Sequence, residues 1–343
     1  TSVSVNYNVD VFGGARRAVQ SAEAQAEITR YQLEGAYLSL TANIVTTAIR
    51  EAALRAQYQS NLEIYQSQKN LADLIAKQLE IGTASRVDLT SQTALTASSQ
   101  IDLLSIDKNL SFTRNQLAAY VGDFPGNAQL AKFDLSKLHL PESIPLSVPS
   151  DLVRQRPDIQ AAEAYMKSTN ALVGVATANL LPQITLTGST GSQALTTGAL
   201  FGPNAAIWSV AGGVFQPLFQ GGALLAQRRG AIATYEAAVF QYQATVLNAF
   251  QEVANALQAL ESDALALRAA SEAERNAFEY LTLLEEQYKL GTGSYLAVLI
   301  AQRQYQQTKF RLIDAQASRF ANTAALFAAL GGGWWNRNGP AYQ

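Results

Sequence analysis

The chain has 343 residues, of which 48% are hydrophobic and only 15% charged, and a net charge of -2. The charged share is well below the ~25% of an ordinary soluble domain, and a near-neutral chain with no basic run or RNA-binding motif argues against nucleic acid as a partner. Without cysteine there are no disulfides or thiolate metal sites in this stretch, and the single histidine, His139, reads as a surface residue of a Pro-containing connector rather than a metal ligand.

The first element is a strand. Residues 3–11 read V-S-V-N-Y-N-V-D-V, apolar at odd positions and polar at even ones, which is the period-2 pattern of a strand. Phe12-Gly13-Gly14 ends it. From Ala15 to Ile81 there is no proline and a single glycine, Gly35, among residues rich in Ala, Gln, Glu, Leu and Arg. These are good helix formers, and at 1.5 Å per residue they predict a helix of roughly 100 Å. Gly82-Thr83-Ala84-Ser85 breaks it, and a second proline-free helical run extends from Arg86 to about Val121. Helix, tight turn, helix is an αα-hairpin.

Asp123 to Pro149 is an irregular, Pro-containing connector. "VPSDLVRQRPDIQAAEAYM" then predicts two helices, with Ser150 capping the first and Pro157 in the first turn of the second. That second helix is expected to end near Leu181-Pro182. A strand comes next over 183–192, where Ile184, Leu186 and Gly188 alternate with Thr185, Thr187 and Ser189. Beyond a Gly-rich loop, 207–216 is strand-like but poorly alternating, with Trp208 near its start, where an interfacial aromatic of a membrane strand would sit. Phe219-Gln220-Gly221-Gly222 leads into a helical run from Ala223 to Leu290, the turn Gly291-Thr292-Gly293-Ser294, and a helix from Tyr295 to about Leu330. Within the first of these runs Leu260, Ala264, Leu267, Ser271, Glu274, Phe278, Leu281, Glu285 and Tyr288 keep a coiled-coil-like 3-4 spacing.

The grammar repeats. Gly82, Thr83 and Ser85 lie 209 positions before Gly291, Thr292 and Ser294, and the same offset carries Leu117 to Leu326 and Gly122 to Gly331. This is a duplicated unit, with a first repeat over 1–149 and a second over 150–343. The first has one strand where the second has two, so a further helix and strand are expected upstream of Thr1. No window of about 20 apolar residues forms a transmembrane helix, whereas a barrel strand needs only about 9–11 residues. Three or four strands cannot close a barrel alone, and open edges are intolerable in lipid. Three chains of four strands would give about twelve. The expected fold class is therefore mainly α with transmembrane β. Very long antiparallel helical hairpins form an α-barrel, joined to the strands of a trimeric outer-membrane β-barrel.

The segment "VPSDLVRQRPDIQAAEAYMKSTNALVGVATANLLPQITLTGS" closely resembles the start of the second repeat of the outer membrane factors. These are TolC-like exit ducts, here of the NodT/OprM-type efflux subgroup. The two Phe-(Gln)-Gly-Gly junctions, the paired Gly-Thr turns and the terminal "ALGGGWW" fit as well. The resemblance covers the whole chain. It implies a homotrimer anchored in outer-membrane lipid and extending into the periplasm, which docks a periplasmic adaptor (membrane fusion) protein and an inner-membrane efflux transporter. Through it drugs or other small solutes pass passively to the exterior, the basis of multidrug resistance. No cofactor is implied. Some such ducts are lipoproteins, and any lipid-anchor cysteine lies outside this stretch.

In the resemblance the two turns are the adaptor-docking tips: Gly82, Thr83, Ala84 and Ser85, and Gly291, Thr292, Gly293 and Ser294. Asp88 and Tyr288 match gate residues that bond between neighbouring tip helices. A phenol donating to a carboxylate is a charge-assisted bond that opening must break. Asp88 reads equally as a solvated helix-start carboxylate, and Tyr288 as a seam residue. Some relatives carry an arginine at Gly293 and aspartates at Ala297 and Ile300, so an acidic ring is absent there. Arg86 either replaces that arginine or is a surface charge.

An enzyme is the rival class. No His/Cys constellation, phosphate loop or meaningful carboxylate pair supports it. A structural coiled-coil protein is opposed by the strands and Trp208, and a protein-secretion duct by the Pro-Ser-Asp-Leu…Arg-Pro-Asp-Ile segment.

Overall fold

A computed structural model describes residues 1–140 and 154–334. The elements are β1 (Ser2–Val9), α1 (Gly14–Glu80), α2 (Arg86–Tyr120), a 3-10 turn (Leu135–Lys137), α3 (Pro157–Ala178), β2 (Gln183–Ser192), a 3-10 turn (Thr197–Ala199), β3 (Ala206–Phe215), α4 (Ala223–Lys289) and α5 (Tyr295–Ala329). The first helix expected after Ser150 begins outside the described residues. The starts and ends of α1 and α2, moved on by 209, fall on those of α4 and α5. Left-handed glycines obey the same offset: Gly13 with Gly222, Gly82 with Gly291, and Gly122 with Gly331.

Two compact units partition the chain, Thr1–Gly35 with Val153–Ala249 and Ala36–Leu152 with Phe250–Gln343. They cut across the sequence repeats, since each takes part of both. The first unit carries the sheet, ordered β1-β2-β3 and antiparallel throughout. Register sorts its faces. Val3, Val5 and Tyr7 stand beside Thr190, Gly188 and Leu186, which in turn face Trp208, Val210 and Gly212. The opposite face carries Asn6, Asn8, Thr185, Thr187, Ser189 and Ser209. These pair across the strands: Thr187 with Asn6 at 2.9 Å, Thr185 with Asn8 at 3.1 Å and Ser189 with Ser209 at 2.8 Å. Strand β3 alternates poorly because, besides Ser209, it sets Ile207, Ala211 and Phe215 on the second face, which is polar along β1 and β2 and mixed along β3. Neither face is covered: Val3, Val5, Val210 and Val214 are exposed, and Trp208 is 80% exposed. β1 and β3 are both edges.

Strand β1 stops at Val9, two residues before the alternating pattern ends. The reason is Asp10, whose carboxylate accepts from the backbone amides of Ala15 and Arg16 at 2.9 Å each and so caps α1 instead of extending the strand. These amide bonds, with the guanidinium of Arg16 beside them, hold the Asp10 carboxyl below its usual range. Helix α3 ends at Ala178, before the expected Leu181. Leu180 and Leu181 close tight turns onto Thr177 and Ala178, because the residue before Pro182 avoids the helical region.

The second unit holds the greater part of both hairpins. Its core is built from small and branched residues: Ala52, Ala53, Leu135 and Ile313, with Phe133, Leu138 and Phe320 packed on them. Beside it the fully buried Glu51 carboxylate is held by Arg55 and by Arg114, at 2.9 Å from the latter, and also accepts from the Phe133 amide at 3.3 Å. Arg114 further donates to the Leu130 carbonyl. An unpaired buried carboxylate would be costly; here its bonds fasten the connector onto α1 and α2. The seam of α4 follows the expected stripe at Leu260, Ala264, Leu267, Glu274, Leu281, Glu285 and Tyr288, all half-buried. It departs from the stripe at Ser271 and Phe278, which are exposed while Ala270 and the buried Ala277 turn inward. At those two turns the smaller alanine takes the inward place. Phe278 instead lies against Tyr305, ring centroids 5.3 Å apart.

Candidate functional site: the hairpin tips

Each tip is built by the same backbone device. In the first, Gly82 takes φ 80°, and the amides of Thr83 and Ala84 turn back to the Gln78 carbonyl at 2.8 and 3.2 Å. In the second, Gly291 takes φ 78°, and Thr292 and Gly293 bond the Gln287 carbonyl at 3.0 Å each. The left-handed backbone suits glycine because it has no Cβ to clash. Thr83 and Thr292 add a hydroxyl bond to the same carbonyls, at 3.1 and 3.2 Å. Gly293 is closely packed: a Cβ there would lie 2.9 Å from the Tyr288 amide nitrogen. An arginine at this position would force the turn to shift.

The tips differ at the helix starts beyond the turns. Ser85 caps α2 in a capping box. The Asp88 amide donates to Ser85 Oγ at 3.1 Å, and the Ser85 amide donates to Asp88 Oδ2 at 3.1 Å. Ser294 has the extended backbone of a cap but makes no side-chain bond. The residue matching Asp88 across the repeat is Ala297, which has no carboxylate to complete the box.

Asp88 and Tyr288 are not bonded to each other within the chain. The Asp88 carboxylate is engaged by Ser85, while the Tyr288 hydroxyl donates to Gln78 Oε1 on α1 at 3.0 Å. The two are close enough that the Asp88 charge adds to burial in pushing the Tyr288 phenol up. Tyr295, in the first turn of α5, lies with its ring centroid 6.1 Å from that of Tyr288 and donates to Gln92 Oε1 at 2.6 Å. Burial raises its pKa to about 12. Arg86 opens α2, exposed, and makes no ion pair among the described residues.

Four side chains went unremarked in the sequence. Ile81 and Val87 flank the first turn, and Leu290 and Leu296 the second; all are more than 60% exposed. The 209-residue offset pairs Ile81 with Leu290 and Val87 with Leu296, and that matching was the available signal. Each tip is thus a polar turn between two aliphatic shoulders. His139 is exposed, and no group of three potential metal ligands exists among the described residues. Among those residues no helix is long and apolar enough to cross a membrane.

Paired long hairpins ending in glycine turns, joined to a sheet with two uncovered faces, define the architecture of TolC-like outer membrane channels. The chain belongs to the outer membrane efflux protein family, whose model matches residues 1–123 and 148–332. The solvent efflux pump outer membrane protein SrpC of Pseudomonas putida is 30% identical over 343 residues, 96% of this chain and 70% of that protein. The crystal structure of VceC from Vibrio cholerae is 27% identical with a TM-score of 0.88, covering 97% of this chain and 79% of that one. The open state of the Neisseria gonorrhoeae MtrE outer membrane channel is 29% identical with a TM-score of 0.87, covering 96% and 74%. Relatives of this chain are the outer membrane components of efflux pumps, and the outer membrane is its location.

Proposed function

We infer that the chain is one protomer of a homotrimeric exit duct for a tripartite efflux pump, made of two structural repeats, 1–149 and 150–343. The observation that carries this reading is the sheet. Both edges, β1 and β3, are unpaired, and its apolar face is bare. An isolated edge invites pairing, and lipid tolerates strands only in a closed barrel. Threefold pairing satisfies the edges, turns Val3, Val5, Trp208 and Val210 to lipid with Trp208 at the interface, and leaves the hydroxyl- and amide-rich face to the lumen.

The long hairpins extend the passage through the periplasm as an α-barrel. At their ends Gly82–Ser85 and Gly291–Ser294, with the aliphatic shoulders, receive a periplasmic adaptor that links the duct to an inner-membrane transporter. The duct conducts drugs or other small solutes passively and catalyses no reaction. Asp88, Tyr288 and Arg86 belong to its gate. Asp88 holds the first tip rigid through its cap, Tyr288 ties α4 to α1, and exposed Arg86 is available to a neighbouring chain.

The test is the mass of the full-length protein in detergent, together with its conductance in planar bilayers. A trimer that conducts is expected; a stable monomer ends the duct reading. Substituting Ile81 and Leu290 with aspartate should abolish adaptor capture without changing the mass. Retained capture would remove the shoulders from the docking surface.

A further inference from the structure

One series of hydrogen bonds is explained by neither the turn glycines nor Asp88. Tyr295 of α5 donates to Gln92 Oε1 of α2 at 2.6 Å. The Gln92 amide donates to the Gln68 backbone carbonyl of α1 at 3.0 Å, and Ser99 Oγ of α2 donates to Gln68 Oε1 at 2.6 Å. Asn61 of α1 then donates to the Ser99 carbonyl at 3.1 Å and accepts from Gln306 of α5 at 3.0 Å. The series leaves α5, crosses α2 and α1, and returns to α5.

Asn61, Gln68, Gln92 and Ser99 are at most 2% exposed. Polar side chains are rarely buried so fully, and leaving such a group unbonded is unfavourable. Leu or Ala would pack these helices without that requirement. The best-attested use of buried polar side chains is to select one packing arrangement among several. A second arrangement has partners ready. Gln68 Nε2 and Gln302 Oε1 are both buried without partners, and both residues line a cavity of about 220 Å³ between α1 and the second hairpin.

We propose that this relay is a latch holding the second hairpin in one register against the first, and that Tyr295 is the residue that releases it. The proposal rests on the duct reading, since a latch has meaning only in a tip that opens. Tyr295 is the member nearest the turn, and the helix start that carries it lacks the capping box of its counterpart. The latch is also neutral. Salt, which screens exposed ion pairs, leaves it in place, and burial keeps Tyr295 protonated far above neutrality. Tyr295 here is a positioning residue of the gate, one that touches no solute.

Full-length Tyr295→Phe in planar bilayers is the test. Losing one neutral hydrogen bond shifts a two-state equilibrium by about two- to tenfold, so the open fraction should rise by that factor while far-UV circular dichroism stays unchanged. Gln92→Leu, which also removes the bond to the Gln68 carbonyl, should raise the open fraction at least as much. The double variant should open no more than Gln92→Leu alone, because that substitution already removes the bond lost in Tyr295→Phe. Should Tyr295→Phe reduce the yield, Gln306→Leu at the far, half-buried end of the relay carries the same expectation. Wild-type open fractions in Tyr295→Phe and Gln306→Leu, from a wild-type protein that itself conducts, overturn the latch. A wild-type protein that never conducts overturns the duct reading and the latch with it.

Discussion

Asp88→Ala removes two hydrogen bonds, both inside the first tip: Ser85 amide to Asp88 carboxylate, and the hydroxyl contact at 2.7 Å. Loss of such a cap costs about 1 kcal/mol, within a range of roughly 0.5–2 kcal/mol. Tyr288→Phe removes the bond to Gln78 instead, a neutral interaction contributing about 0.5–1.5 kcal/mol. The residues share no bond, so their effects should add, with a coupling below about 0.5 kcal/mol. Hydrogen exchange on peptides spanning the two tips reads the local opening free energy of each. Asp88→Ala should speed exchange at the start of α2 and leave the start of α5 untouched. Tyr288→Phe should loosen the end of α4, and the double variant should show the sum. A coupling above about 1 kcal/mol would mean that the assembled tip contains a direct Asp88–Tyr288 bond, and the reasoning from the single chain would fail.

The second tip offers the reverse experiment. Ala297→Asp should complete a capping box with Ser294, slow exchange at the start of α5 by the equivalent of about 1 kcal/mol, and lower the open fraction; unchanged exchange would show that Ser294 cannot serve as its partner. Alkaline titration probes the tyrosines. Burial raises the Tyr295 pKa to about 12 in the folded tip, whereas an unfolded tyrosine ionises near 10. Its contribution to stability is therefore whole below about pH 10 and is lost as pH rises through about 12. Phenolate absorbance should show a late-ionising component that Tyr295→Phe removes, and an unaltered curve would contradict the assignment.

Much of the fold was legible because a duplication makes each half a check on the other. The Gly82 and Gly291 turns placed all four long helix ends to within about a residue or two. Letters misled where one side chain redirects the chain. Asp10 looks like the next polar position of a strand, yet its carboxylate captures the α1 amides. The tip was less legible. Ser85-x-x-Asp88 is a capping-box spelling, and the residues that tie the hairpins together, Gln78 and Gln92, look in sequence like solvated surface. Only the packing of four helices shows that Gln92 is buried and that Tyr295 reaches it. The α4 stripe was legible at seven of its nine positions and slipped by one residue at Ser271 and Phe278, where the neighbouring Ala270 and Ala277 turn inward.

The polar face of the sheet has a consequence for traffic through the proposed duct. Asn6, Asn8, Thr185, Thr187, Ser189 and Ser209 carry no charge, and they already bond one another across the strands. Much of their hydrogen-bonding capacity is occupied, so a passing solute meets wetted hydroxyls and amides with few free donors or acceptors to grip it. Along β1 and β2 no ion must surrender a counterion and no greasy molecule finds an apolar shelf to lodge on; the apolar residues of this face, Ile207, Ala211 and Phe215, are confined to β3. On this stretch of wall, molecules of quite different chemistry should travel at nearly the same speed.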